Sequence, residues 1–385
     1  MTTLALKDLI PGTVEAFGAL DFDQRPHGLA PRRLPDWTRL QLPQPFDVVA
    51  RMPSGVRLRF STDAARIGIS FHATKMVTPP ESPCRIAFNL EIGGEVRGAR
   101  SDAGNRIVLN PESPGEFELL RGEPDTVWFD DLGTGTKRCE LWLPHNAFVE
   151  LRDLHLNDGA AIFGPTADAR PRWVHYGSSI SHCMEADEPA YIWPAVAARQ
   201  AGFALHSFGF GGQCHLDQFL ARVIRDTRAD VISLKVGINV VNGDTMRERV
   251  FAPALHGFLD TIREAQPATP IALISPIFCP SAEDTPGPTL RNSRGRFVTQ
   301  PGHESIRDGC MSLTRVRELI RDVVERRRAA GDAALSYVDG LTLFGAEDAD
   351  DLPDDLHPNA AGYVRMGERF APLLAALTDS TRSGG

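Results

Sequence analysis

The sequence predicts an all-β sandwich domain over residues 1–165 followed by an α/β domain built on a parallel sheet over residues 166–385. Three observations carry this reading. The 385 residues exceed what one hydrophobic core usually organises. Apolar residues recur with a period of two from about residue 45 to 160. After a turn-rich stretch at 157–170, short apolar runs alternate with longer helical patterns.

In the first half, Val56, Leu58 and Phe60 alternate with Arg57 and Arg59, and Ile67, Ile69 and Phe71 repeat the pattern. Such alternation predicts strands buried on one face only. Further strands are expected at 85–92, 127–132, 137–143 and 148–156. Clusters of Gly, Pro, Asp and Asn separate them at the spacing of an antiparallel, jelly-roll-like sandwich.

In the second half, apolar runs at 173–176, 231–236 and 271–274 predict strands buried on both faces. Helices are expected over 192–201, 216–227, 249–265, 305–329 and 360–377, with Asn359 placed to cap the last through its side-chain oxygen. In a parallel sheet of this kind the active residues gather at the carboxyl ends of the strands. The segment 279–302 is too long and too rich in Pro, Gly and charge for a tight connection. It is expected to lie over the rim of the site, either as a lid or as an inert surface excursion.

Composition excludes several classes of function. With 41 basic and 50 acidic residues the net charge is -9, and no run of Lys and Arg could track a phosphate backbone, so nucleic acid is not the expected partner. No segment approaches the ~18–20 consecutive apolar residues that span a bilayer, so no membrane partner is expected. The first residues show no export signal, which points to the cytoplasm. Six cysteines (Cys84, Cys139, Cys183, Cys214, Cys279 and Cys310) stand without paired spacing and read as free thiols. No metal is expected: His182, Cys183 and His215 have no metal-ligand spacing and read as contact or packing residues.

The chemistry-bearing residues fall in four places. The run Trp173-Val174-His175-Tyr176-Gly177-Ser178-Ser179 ends an apolar strand in a serine before a helix. Ser207 to Gly212 (SFGFGG) and Val236-Gly237-Ile238-Asn239 follow the ends of two further strands and offer backbone N–H groups and a side-chain amide for an oxyanion. Asp354 and His357 form a DxxH tetrapeptide ahead of the last helix. A serine hydroxyl becomes a nucleophile when a base removes its proton, and an imidazole does so best when a carboxylate holds its other nitrogen. Each segment alone also fits a turn or a helix cap.

Taken in order, the four segments resemble the SGNH or GDSL hydrolase family over roughly residues 171–378. The resemblance implies a flavodoxin-like α/β/α sandwich, with Ser179 as nucleophile, His357 as base and Asp354 as its orienter. It also implies an oxyanion hole made by the Ser179 and Gly212 N–H groups and the Asn239 amide. Two positions depart from the family: Ser178 replaces the aspartate of Gly-Asp-Ser, and Val240 follows Asn239 where many members carry aspartate.

The leading β-rich half further resembles that of GDSL-type acyltransferases of tetracycline biosynthesis. What this implies is a salicylyl group carried from coenzyme A to a hydroxyl of a tetracyclic polyketide. The partners would then be a small-molecule acyl donor and a hydroxylated acceptor, with acyl-CoA as co-substrate and no resident cofactor. The run at 139–156 is also similar to the accessory sandwich of carbohydrate-active SGNH esterases, which implies deacylation of a sugar or another small ester. A non-catalytic binding protein that kept the fold is a third reading.

Overall fold

The computed structural model describes residues 1–78, 85–110, 116–301, 305 and 307–382, so Cys84 and Gly302 lie outside the described residues. The chain forms two compact units, one of residues 1–169 with 187–190 and the other of residues 170–186 with 191–385.

The first unit is two facing β-sheets. The strands Phe117–Leu120, Asn105–Leu109, Ile67–Val77, Ala147–Leu156, Gly28–Arg32 and Asp21–Arg25 lie side by side, joined by Thr2–Ala5 and Asp125–Phe129. The second sheet runs Ile162–Phe163, Arg57–Thr62, Lys137–Trp142, Ile86–Ile92 and Glu95–Ser101, with Glu15–Phe17 added on Arg57–Thr62. All described pairings are antiparallel except that of Ile67–Val77 with Asn105–Leu109. Leu58, Phe60, Ile69, Phe71, Phe88, Leu141 and Leu151 join in one buried core.

The period-two reading needs correction at Arg57–Thr62, where every residue is buried rather than every second one. Arg57 and Arg59 are only 1% and 2% exposed. Their guanidinium groups are neutralised and stacked, which is what burying such groups requires. Arg57 Nε donates to Glu140 at 2.6 Å and Arg59 pairs with Asp168 at 2.9 Å. Both lie over the Phe17 ring, and Arg57 also lies over Trp142.

In the second unit five parallel strands form one sheet: β1 (Arg172–Gly177), β2 (Ala204–Gly209), β3 (Val231–Lys235), β4 (Ile271–Ile274) and β5 (Leu335–Val338). Their order is β2-β1-β3-β4-β5, the doubly wound order of a flavodoxin-like sheet. Alternation along β1 sends Trp173 to one face, against Trp193 and Phe370, and Tyr176 to the other, stacked on Phe258. The first face is covered by α2 (Trp193–Ala201) and α7 (Ala360–Arg382) and the second by α3 (Gln218–Asp226), α5 (Glu248–Arg263) and α6 (Leu313–Ala329). The short helices α1 (Ser179–His182) and α4 (Ile238–Asn242) directly follow β1 and β3.

Helix boundaries follow local chemistry. Gly202 ends α2 in the left-handed region, and Asn359 Oδ1 accepts the Gly362 N–H at 2.9 Å, capping α7 as its position suggests. The helix expected from residue 305 begins instead at Leu313, where Ser312 Oγ accepts the Arg315 N–H. A serine cap satisfies an otherwise unpaired donor there, which the preceding Gly309 and Cys310 cannot do through a comparable side-chain oxygen.

The segment 279–301 holds a two-stranded hairpin, Thr289–Arg291 with Phe297–Thr299. Its base is fixed by the buried Arg317, which binds both oxygens of Glu283 at 2.7 and 2.8 Å and donates to the carbonyls of Pro276 and Ile277. No helix of the described residues is long and apolar enough to cross a membrane.

Candidate active site

Ser179 follows the carboxyl end of β1, partly exposed between the buried Ser178 and Ile180. The turn that presents it is held from below. Ser178 Oγ accepts the Ile180 N–H, and Ser181 Oγ meets His175 Nε2 at 2.8 Å, while His175 Nδ1 meets Ser233 Oγ at 2.7 Å. Burial, and then the neighbouring Lys235, lower the His175 pKa to about 3, so this imidazole is neutral at ordinary pH. Ser178, which stands where the resemblance implies an aspartate, therefore caps α1.

Close packing fixes the same turn from β2. A Cβ on Gly209 would lie 2.4 Å from the Ser181 carbonyl carbon and 2.6 Å from the His182 nitrogen, so no side chain fits there. His182 is buried and its Nδ1 accepts the Gly211 N–H at 3.4 Å; His215 Nε2 donates to the Gly212 carbonyl at 3.1 Å.

Asp354 and His357 reach Ser179 from the turn ahead of α7. His357 Nε2 lies 2.9 Å from Ser179 Oγ, and Nδ1 lies 2.8 Å from Asp354 Oδ2. The other carboxylate oxygen, Oδ1, accepts the backbone N–H groups of Leu356 at 3.0 Å and His357 at 2.7 Å. A carboxylate only accepts, so Nδ1 carries the proton and Nε2 presents its lone pair to the serine hydroxyl. Burial pushes the Asp354 carboxyl up, but the His357 contact and the two N–H donors outweigh it and hold its pKa below the usual value. Burial likewise disfavours the His357 imidazolium, yet Glu185 and then Asp354 hold its pKa above the usual value.

The remaining predicted residues supply donors. Asn239, 9% exposed on α4, uses its Oδ1 to accept the Cys214 N–H at 2.9 Å, which leaves its NH2 group available. Gly212 is exposed with φ +69°, a conformation that favours glycine. Among the described residues, the Ser179 N–H, the Gly212 N–H and the Asn239 NH2 have no acceptor in the protein. Such an arrangement can take a proton from Ser179 and offer donors to an oxyanion.

Three neighbours of His357 were not singled out in the sequence. Glu185 Oε1 lies 4.0 Å from His357 Nδ1, and Tyr363 donates its hydroxyl to Glu185 Oε2 at 2.8 Å. Phe297, on the hairpin, sets its ring edge-on to His357 with centroids 5.6 Å apart, and its N–H donates to the Asp354 carbonyl at 2.8 Å. Arg296 and Asp355 form an ion pair beside it. Of the three neighbours, only Phe297 falls in a segment that the sequence marks, the long stretch at 279–302.

Beneath the site, Lys235 at the carboxyl end of β3 is 1% exposed, and its Nζ has no hydrogen-bond partner among the described residues. Burial lowers its pKa from 10.5 to about 8. Between those values the unfolded chain binds a proton that the folded chain does not, so stability rises with pH across that window. Below about 8 the penalty is fully present. Lys235→Met is therefore expected to stabilise the protein at pH 7 by roughly 2–4 kcal/mol, with the gain shrinking toward pH 10. Urea unfolding at the two pH values checks this, and a destabilised variant at pH 7 would refute it.

Residues 175–365 match the GDSL-like lipase/acylhydrolase family, and residues 15–152 match the SsfX3 N-terminal domain. Among solved structures the chain is similar to the salicylyl-acyltransferase SsfX3 from a tetracycline biosynthetic pathway. The identity is 29%, over 98% of this chain and 97% of that one, with a TM-score of 0.80. It also shares its fold with a protein from Bacteroides ovatus described as a GDSL-like lipase, at 18% identity over 98% of both chains and a TM-score of 0.68. A family two carbohydrate esterase from Clostridium thermocellum, in complex with cellohexaose, shares it at 13% identity over 94% of this chain and 98% of that one, with a TM-score of 0.59. No curated protein matches by sequence.

Proposed function

Because this chain is an enzyme whose C-terminal domain belongs to the GDSL-like lipase/acylhydrolase family, we propose that it is an acyltransferase that works through an acyl-Ser179 intermediate. The proposed reaction moves an aryl acyl group, salicylyl, from a coenzyme A thioester to a hydroxyl of a tetracycline-type polyketide. The observation that carries the catalytic part is the continuous relay from Ser179 Oγ through His357 to Asp354. Likeness to an acyltransferase over both domains supports transfer rather than hydrolysis. The reading brings with it a cytoplasmic location and no resident cofactor, acyl-CoA being a substrate.

In the first half-reaction His357 Nε2 takes the Ser179 proton as Oγ attacks the thioester carbonyl carbon. The Ser179 and Gly212 N–H groups and the Asn239 NH2 receive the negative oxygen. The tetrahedral species then expels the thiolate, which leaves with the proton from His357. In the second half-reaction His357 deprotonates the acceptor hydroxyl, whose oxygen attacks the acyl carbon and releases Ser179, which recovers the proton. Water in place of the acceptor would make the same chemistry a hydrolysis. Holding an organic hydroxyl in place can remove on the order of 7–11 kcal/mol from the barrier at best, which is how an acceptor outcompetes water.

Asn239→Ala is expected to lower kcat by about 10²–10³-fold with a much smaller change in KM, because the amide acts on charge that develops only in the transition state. Steady-state kinetics with a salicylyl thioester checks it; a change confined to KM would remove Asn239 from the oxyanion hole.

The whole reading is tested by intact-protein mass after mixing with a salicylyl thioester, with and without a tetracyclic alcohol. A salicylyl adduct discharged faster by the alcohol than by water is the expected result. Discharge by water alone would assign a hydrolase, and turnover of acetylated sugars with no salicylyl adduct would assign a carbohydrate esterase.

A further inference from the structure

A catalytic imidazole with one carboxylate on Nδ1 is already complete, yet here a second carboxylate faces the same nitrogen. Glu185 lies just beyond α1, with its Oε1 4.0 Å from His357 Nδ1. That separation is too long for a hydrogen bond and short enough for a strong charge interaction. Its position is fixed. Tyr363 is fully buried on the first turns of α7 and donates its hydroxyl to the other oxygen, Oε2, at 2.8 Å. Burial, and then Glu185, hold the Tyr363 pKa well above its usual value, so the hydroxyl stays a donor.

We propose that Glu185, held by Tyr363, is a positioning residue for His357: a second carboxylate on its Nδ1 side that favours the imidazolium formed during transfer and takes over from Asp354 when that group is removed. The proposal rests on the Ser179–His357 reading of the site and adds a residue to it.

The groups around the imidazole bear on its charge in different directions. Asp354 and Glu185 favour the charged form, and Arg291 from the hairpin opposes it. Asp355, on the same turn as His357, is neutralised by Arg296. Glu185 is the one acidic neighbour of His357 that neither bonds it nor is matched by a described arginine. Its side chain is 36% exposed, which weakens its effect without removing it.

Glu185→Gln separates charge from structure, because the amide oxygen still accepts from Tyr363 while the negative charge is gone. Titration of His357 by ¹⁵N NMR in the full chain is expected to show the midpoint falling by roughly half a unit to one unit in this variant. The acid limb of kcat/KM should move down with it. Tyr363→Phe, which releases Glu185, should move the midpoint the same way by less. In an Asp354→Ala background, Glu185→Gln should cost at least about tenfold more than it does alone, the non-additivity expected of groups that substitute for one another.

An unmoved midpoint in both variants would overturn the proposal. The NMR readout needs no turnover. A lowered midpoint in a protein that transfers no acyl group would keep Glu185 in its place and refute the reaction, whereas an unmoved midpoint with normal transfer would refute Glu185 alone.

Discussion

Ser179→Ala is expected to lower kcat/KM for an acyl donor by roughly 10⁴–10⁶-fold and to abolish the covalent adduct, while the folded protein keeps its stability. The size of the loss follows from the position of the hydroxyl at the end of the relay, 2.9 Å from His357 Nε2, with no other described group able to replace it. Preserved stability follows from what the side chain does not do. The turn is held by the Ser178 cap, by the Cys183 N–H on the Ser179 carbonyl and by the buried His175–Ser181 contact, and none of these uses Ser179 Oγ. Single-turnover rates together with thermal unfolding decide the matter. A variant that retains its rate would move the nucleophile elsewhere, and one that loses rate and stability together would show only that the turn had collapsed.

Asp354→Asn is expected to cost about 10³–10⁴-fold in kcat, more than its small change in shape suggests. Asp354 Oδ1 accepts two backbone N–H groups, from Leu356 and His357. An asparagine must keep its oxygen there, which turns its NH2 toward His357 Nδ1. That nitrogen would then have to accept, the proton would sit on Nε2, and the imidazole would face Ser179 with a donor where it needs a lone pair. Kinetics of the variant, combined with ¹⁵N shifts that report which ring nitrogen is protonated, test both the loss and its cause. A large loss with the proton still on Nδ1 would require another explanation.

The parts of this site that could be read in the sequence are those whose geometry is local. Asp354 and His357 stand three residues apart on one turn, and Ser179 lies directly after an apolar strand, so spacing and residue type suffice to mark them. Gly212 and Asn239 follow the ends of β2 and β3, and the rule that places active residues at strand ends reaches them as well. Glu185, Tyr363 and Phe297 were beyond that reach because no strand end or short spacing marks them: Glu185 and Phe297 come to His357 only through folding, and Tyr363 acts through Glu185, with 178 positions of chain between those two.

In the β-rich unit the alternation of Val56, Leu58 and Phe60 identified a strand and its inner face. It could not show that Phe17, Trp142, Glu140 and Asp168 would enclose Arg57 and Arg59 on the outer one. The strands at Glu95–Ser101, Asn105–Leu109 and Phe117–Leu120 went unread because their residues, Ser101 apart, are half-buried or exposed and show no sustained alternation of apolar with polar residues.

The hairpin grips the turn carrying Asp354 through a main-chain donor, the N–H of residue 297. Any residue there except proline can provide that bond. The ring at 297, which meets His357 edge-on, is thus separate from the grip, and exchanging it keeps the main-chain hold on the Asp354 turn while changing what touches the base. A library at this position would therefore vary the packing on the imidazole without loosening the turn that carries its carboxylate.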